Sequence, residues 1–282
     1  MTMTTSRRGF LKAAAATGAV LLIGMKGDRV IASGTNKAQI NPFIKISADG
    51  RVTAIVKHFE KGQGPATGLS TLIAEEIGVT MDQMDFEFAP SNPELYANSA
   101  FGQFQGTGGS TAMANSFMQY RTAGAAAREM LITAAAQDWG KPVEELDIVD
   151  GMIVGGGNSA SIGDYVAAAA ELEAPAEPRL KSPSEWRLIG NPDVRRLDSR
   201  IKGNGEAVFG MDLHLPNQMI VMLARPLQMG GLVASFDDSD AKEITGFIRA
   251  AVLPNNAAVA VYAENTWAAM QARDVLTVEW DL

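Results

Sequence analysis

The chain has no cysteine in its 282 residues. That excludes disulfides, thiolate zinc sites, cysteine nucleophiles and iron–sulfur ligation by this polypeptide. Histidine is nearly as scarce. His58 and His214 stand far apart in sequence, which argues against a histidine-rich metal centre. Basic charge is also in deficit, with 24 Lys and Arg against 32 Asp and Glu, a formal net charge of −8. Residues 1–32 carry five cations and one anion, so the remainder stands at −12. A body this acidic lacks the basic footprint of nucleic-acid binding. Nor is there a long apolar run. Residues 13–25 are rich in Ala and Gly, and the stretch is too short to make a good spanning helix.

What is present begins with Ser6-Arg7-Arg8-Gly9-Phe10-Leu11-Lys12, which fills every position of the twin-arginine export signature S-R-R-x-F-L-K. Such a segment is an address read by a receptor, not folded structure. The route carries proteins already folded in the cytoplasm, commonly because a complex cofactor must be loaded there. Residues 1–32 are therefore expected to be a leader, with Val30-Ile31-Ala32 as a small-residue cleavage site and Ser33 as the new N-terminus. The expected location is the periplasm, and an uncleaved leader acting as a membrane anchor is the alternative.

The body reads as α+β. Residues 42–58 alternate as a hairpin turning at Asp49-Gly50. Lys61-Gly62-Gln63-Gly64 bends into a helix from Pro65 to about Ile77, with Leu69, Leu72, Ile73 and Ile77 on one face and Gly78 as its stop. Residues 85–89 look like a strand and residues 90–109 like a long polar loop. Residues 110–139 are Ala-rich and helical, and Gly124-Ala125-Ala126-Ala127 predicts close packing against a neighbour. A hairpin over 146–154 turns at Asp150-Gly151, and Ser161 is placed to cap a short helix. Residues 173–194, rich in proline and charge, read as an inter-domain linker. Beyond them strands alternate with short helices, among them one capped by Asn265. Trp139, Trp267 and Trp280 fall on these elements and are expected to pack in cores.

Two constellations carry chemistry. Lys61-Gly62-Gln63-Gly64-Pro65-Ala66-Thr67 joins a strand to a helix start whose free N–H groups favour an anion. Gln63 offers both a donor and an acceptor, suited to a pterin edge. An ordinary tight turn is the alternative. Gly106-Thr107-Gly108-Gly109-Ser110-Thr111 is a second helix start dressed with hydroxyls and glycines, equally able to cradle phosphate or to be a capped loop. Together they suit a ligand with more than one phosphate. His58, beside the first turn, reads as structural, as does His214.

A third set of residues carries a resemblance. Arg196-Leu197-Asp198, Gly205-Glu206-Ala207, Gly210-Met211-Asp212, His214-Leu215-Pro216 and Leu223-Ala224-Arg225-Pro226, with the closing run over 259–281, resemble the α/β-hammerhead domain of the xanthine dehydrogenase and aldehyde oxidase family. In that light Gly62, Gln63, Gly64 and Thr67 are similar to the family's G-Q-G-x-x-T turn. Thr107, Gly108, Gly109, Ser110 and Thr111 are similar to its hydroxyl-rich helix start at the molybdenum pyranopterin. The order, cofactor motifs before hammerhead, and the leader resemble the exported branch of isoquinoline 1-oxidoreductase-like and membrane-associated aldehyde dehydrogenase large subunits.

The resemblance implies a partial molybdopterin-binding domain over 40–172, the linker over 173–194 and an α/β-hammerhead domain over 195–282. It implies molybdopterin cytosine dinucleotide as cofactor, a small iron–sulfur subunit as electron acceptor, and a complementary C-terminal half of the large subunit. A cytochrome c subunit and membrane association are compatible with it. The family's catalytic glutamate has no counterpart here. Glu60, Glu75, Glu76 and Glu264 lie outside its context, so no catalytic residue and no metal ligand is assigned, and the polypeptide alone is expected to be inactive. The expected function is the N-terminal portion of a molybdenum hydroxylase large subunit, oxidising an aldehyde or N-heterocycle with water-derived oxygen. The alternatives are a non-catalytic exported remnant and a small exported binding protein for a phosphorylated ligand.

Overall fold

The computed structural model describes residues 20–26, 29–33 and 42–282. By internal contacts the chain divides into a unit ending at Glu206 and a second unit, Ala207–Leu282. The twin-arginine motif at residues 6–12 lies outside the described residues.

The first unit is built on a five-stranded sheet in the order β2-β1-β3-β4-β5. Its strands are β1 (Val20–Lys26), β2 (Arg29–Ser33), β3 (Pro42–Ser47), β4 (Val52–Val56) and β5 (Met84–Phe88). The expected hairpin is β3–β4, antiparallel, with Gly50 in the left-handed region at φ 81°. β4 and β5 run parallel. The chain between them includes helix α1 (Pro65–Ile77), started by Pro65 and stopped by left-handed Gly78 as expected. Leu69, Ile73 and Ile77 are wholly buried on its inner face.

The polar loop after β5 is more ordered than its composition indicates, with a turn of helix, α2 (Pro93–Tyr96), and a further 3₁₀ turn, Ser99–Phe101. Helix α3 (Thr111–Trp139) follows and ends at left-handed Gly140. Alanine favours the helix intrinsically and keeps its surface low, so α3 lies close on α1. The tightest point is Gly124, where an added Cβ would stand 2.9 Å from Glu76 Cβ and 3.2 Å from the Ile73 carbonyl oxygen. Phe43 sits edge-on between Tyr96 and Tyr120 and joins sheet to helix. A small three-stranded sheet, β6 (Leu146–Val149), β7 (Met152–Gly155) and β8 (Asn158–Ser161), extends the expected hairpin by one strand. Ser161 accepts from Gly163 N–H at the following turn, which leads into α4 (Val166–Ala169).

Two expectations change here. Residues 20–26 and 29–32, assigned to the leader, lie in strands of the main sheet. Leu21 and Ile23 are fully buried in its core, each worth about 1.5–3 kcal/mol. Residues 173–194, expected as a linker, are bound to the first unit. Glu75 Oε2 accepts the backbone N–H groups of Arg187, Leu188 and Ile189 at 2.8, 2.6 and 3.0 Å. Glu76 accepts from Arg121 Nε at 2.7 Å, Arg128 Nη1 at 3.3 Å and Lys181 N at 3.0 Å. Both carboxylates are buried, and Arg128 contributes a further bond to the Glu76 carbonyl. A proline-rich segment without periodicity cannot announce such anchors, because they come from a helix more than a hundred residues earlier. The division between units accordingly falls at 206, not at 194, and α5 (Ser199–Gly203) belongs to the first unit.

The second unit holds a three-stranded sheet, β11-β12-β9, and a pair, β10-β13. The strands are β9 (Ile220–Ala224), β10 (Leu232–Asp237), β11 (Phe247–Val252), β12 (Val259–Ala263) and β13 (Thr277–Asp281). Helix α6 (Thr266–Asp274) is capped by Asn265, which accepts from Ala268 N–H at 2.9 Å. It seats Ala268, Ala269 and Ala272 in the core. Trp267 points the other way and is 66% exposed, against the expectation that it packs inside. At the second position of a helix whose Ala268-Ala269 face is buried, its side chain falls on the outer face. Among the described residues no helix is long and apolar enough to cross a membrane.

Candidate functional site

β4 delivers Lys57 and His58 to the interior, and the chain then bends through Phe59 to Gly64 into α1. Gly62 and Gly64 are left-handed, at φ 106° and 90°, a conformation open to glycine at little cost. The turn is closed from below by Glu60. Its Oε1 accepts from Gly62 N–H at 2.7 Å and Gly64 N–H at 3.2 Å, and its Oε2 accepts from Ala66 N–H at 3.4 Å. Arg196 Nη2 at 3.2 Å and Lys202 Nζ at 3.6 Å balance the charge. Desolvation pushes the Glu60 carboxyl up, but the three N–H groups and Lys202 outweigh it and hold it below the usual range.

This corrects the expectation of free donors at the first helix end, since the protein's own carboxylate has taken them. Gln63 is likewise engaged. Its Nε2 donates to the Phe59 carbonyl and its Oε1 accepts from Lys61 N–H, both at 2.7 Å. Thr67 is buried, and its hydroxyl accepts from Leu197 N–H at 3.0 Å. Arg196 braces the same turn, donating to the Gly62 carbonyl at 2.7 Å and pairing with Asp198 at 2.8 Å. The Arg196 hydrogen bond, opposed by burial and aided by Lys202, draws the Asp198 carboxyl down to about 2.

The second constellation meets the first at Thr107. Its hydroxyl accepts from Phe59 N–H at 3.0 Å and lies 3.4 Å from His58 Nδ1, while Lys61 Nζ donates to its carbonyl at 3.3 Å. Gly108 offers its carbonyl to Thr111 N–H and hydroxyl, at 3.1 and 2.8 Å. Buried Asn98 ties Gly106 and Thr111 together from behind, at 3.1 and 2.7 Å. Gly109 and Ser110 are consecutive left-handed residues, at φ 56° and 57°, and Ser110 makes no side-chain cap. At the start of α3 the Thr111 N–H is bonded to Gly108, and no side-chain cap from Ser110 meets the N–H groups that follow it, beneath two exposed residues.

Beneath this junction His58 is buried, with Nε2 2.9 Å from Ser116 Oγ. Desolvation, with the charge of Lys57 adding to it, lowers its pKa to about 4, so it is neutral at physiological pH. Lys57 donates to Gln119 Oε1 at 2.8 Å and the Ala97 carbonyl at 3.2 Å, and burial lowers it to about 8. Phe59 and Phe104 stand exposed beside the junction, at 68% and 64%. A cleft elsewhere on the unit, of about 610 Å³ and lined by Arg128, Glu144 and Arg179, shares none of these residues. Among the described residues no group of three or more His, Asp or Glu is placed to hold a metal ion.

Structure thus brings all nine expected residues to two adjoining turns, and it adds His58, Glu60, Asn98, Ser116, Arg196, Asp198 and Lys202. Glu60 alone had a local signal, an acid two and four residues before glycines whose N–H groups need acceptors. Asn98 acts over 8 and 13 residues and Asp198 holds its near neighbours Arg196 and Lys202, while His58, Ser116, Arg196 and Lys202 reach the turns across tens of residues or more.

Residues 9–210 match the family described as "Molybdopterin cofactor-binding domain". The chain is 30% identical over 246 residues to the membrane-bound aldehyde dehydrogenase [pyrroloquinoline-quinone] of Gluconacetobacter polyoxogenes, covering 83% of this chain and 31% of that protein. It is 29% identical over 320 residues to isoquinoline 1-oxidoreductase subunit beta of Brevundimonas diminuta, covering 99% and 40%. The crystal structure of quinoline 2-oxidoreductase from Pseudomonas putida 86 aligns at 18% identity with a TM-score of 0.36, over 54% of this chain and 16% of that one. The chain therefore spans well under half the length of the curated relatives it matches.

Proposed function

The chain belongs to the molybdopterin cofactor-binding domain family, and from that membership we propose that it forms one wall of a molybdopterin cytosine dinucleotide site in an exported oxidoreductase. The observation that supports this is the junction at Thr107, where two glycine-bearing turns meet beside an uncapped start of a 29-residue helix. The donors there fit an anionic or polar edge of the cofactor. Thr107, Gly108, Gly109, Ser110 and Thr111 would hold it on that side. Gly62 and Gly64 would shape the opposite turn. Gln63 would reach it by exchanging its two internal bonds for new ones, whereas Thr67 holds the turn in place.

Such a cofactor supplies, when bound, two-electron oxidation of an aldehyde or N-heterocycle carbon with oxygen from water. This chain's share is to bind and orient. Glu60, Glu75 and Glu76 are committed as acceptors to backbone N–H groups and cations, so no general base is assigned among them. These residues hold no cysteine to ligate an iron–sulfur centre, and electron transfer is assigned to another subunit, a small iron–sulfur protein, with a cytochrome c subunit beyond it. The rest of the substrate pocket is assigned to a complementary part of the large subunit. The second unit is read as the α/β-hammerhead domain and the location as periplasmic. The quinone in one relative's name is a different cofactor, but the family match runs through both turns of this chain, which favours molybdopterin.

The test is the molybdenum and cytidine content of the assembled complex, by mass spectrometry of metal and released nucleotide. Gly109→Val places a β-branched side chain at φ 56°, a strained conformation at the proposed contact. It should lower both contents while the circular dichroism of the chain is kept. Absence of molybdenum from the wild-type complex, with a phosphate-dependent rise in melting temperature, would favour the small binding protein instead.

A further inference from the structure

The apolar stretch that ends the leader is also a strand of the folded body. β1 lies inside the sheet, with β2 on one side and β3 on the other. It pairs Leu21 with Ile46, Leu22 with Lys45 and Ile23 with Ile44. Leu21, Ile23 and Gly24 are buried, and the first two belong to the same core cluster as Phe43, Ile44 and Leu131. β1 also packs against α3 and α4. Removing it would turn β3 into a sheet edge and uncover Phe43, Ile44 and Ile46, all now at 0% exposure.

From this we infer that residues 20–33 are retained in the mature protein as a structural hairpin, so that the chain is neither cut at Ala32 nor anchored by this stretch as a spanning helix. The Val30-Ile31-Ala32 motif lies within β2, paired along one side with β1, whereas a peptidase needs a segment freed from such pairing. Only residues 13–19 of the apolar run precede β1, seven residues against the roughly 20 a spanning helix requires. A substrate of a route that carries folded proteins would then present only the chain before Val20 as its address.

Two measurements on the full 282-residue chain decide it. The first is hydrogen exchange by mass spectrometry on the purified chain, comparing the peptides of β1 and β4. Protection of β1 within about tenfold of β4 is expected for strands of one cooperative sheet, and exchange of β1 at the rate of an unstructured peptide would overturn the inference. Leu21→Asp should lower the melting temperature, and an unchanged one counts against the strand in the same way. The second is the intact mass of the chain recovered from the periplasm with its own leader. An N-terminus at or before Val20, unaffected by Ala32→Gln, is expected, and a folded exported chain beginning after Val20 refutes retention. A chain that stays in the cytoplasm refutes export and leaves the exchange and stability results to decide on the hairpin.

Discussion

The Glu60 carboxylate accepts the Gly62 N–H at 2.7 Å, so the glycine turn is held by an acid from its own strand end. Glu60→Ala leaves the N–H groups of Gly62, Gly64 and Ala66 without that acceptor and leaves Arg196 and Lys202 with Asp198 as their shared acid. Hydrogen bonds to a charged group contribute about 1.5–3 kcal/mol, and urea unfolding should show a loss of about 2 kcal/mol. Glu60→Gln, which keeps one acceptor oxygen, should lose less. Equal stability of all three proteins would mean the turn stands without its acid.

Glu76 should be the more damaging position. It is wholly buried between Arg121 and Arg128. Removing one member of a buried ion pair leaves an uncompensated charge, at a cost of about 3–5 kcal/mol. Glu76→Ala should also loosen the segment around Lys181, whose N–H it accepts, so limited proteolysis ought to cut there first. A variant that loses stability but keeps this segment protected would separate the ion pair from the anchoring.

Stability should rise with pH between about 4 and 6.5. His58 titrates near 4 in the folded chain against an ordinary 6.5, because burial and Lys57 oppose its charge. Between those values the unfolded chain binds the additional proton, so stability is complete above the unfolded value and is lost as pH falls towards the folded one. The difference amounts to about 3 kcal/mol. His58→Gln, measured by urea unfolding at pH 7 and pH 5, should flatten that slope. Asp198 acts lower, between an ordinary 3.8 and about 2, with the same sign.

Export should depend on the arginine pair. Arg7→Lys with Arg8→Lys should leave the protein in the cytoplasm, as fractionation and immunoblotting would show. Unchanged periplasmic delivery would remove the export assignment while leaving the fold and the cofactor reading untouched.

The sequence by itself determined what neighbours along the chain can decide. Pro65 and Gly78 bounded α1 because one residue lacks an N–H and the other tolerates left-handed backbone. Gly140 stopped α3, Asn265 capped α6, and Asp49-Gly50 turned β3 into β4 for equally local reasons. The small residues around Gly124 announced a close helix contact, and the two glycine-bearing turns could be picked out as a pair. Only the tertiary structure decided which donors remain for a ligand, since the Glu60 carboxylate takes up the N–H groups of Gly62, Gly64 and Ala66, Gln63 donates inside the turn, and Ser110 caps nothing. It also fixed the proline-rich segment to Glu75 and Glu76 and drew the apolar end of the leader into the sheet. Hydropathy alone does not distinguish an export segment from a buried strand, because both need the same run of Val, Leu and Ile. What separates them is whether a partner strand such as β3 leaves an edge to be filled, and that is a property of the whole fold.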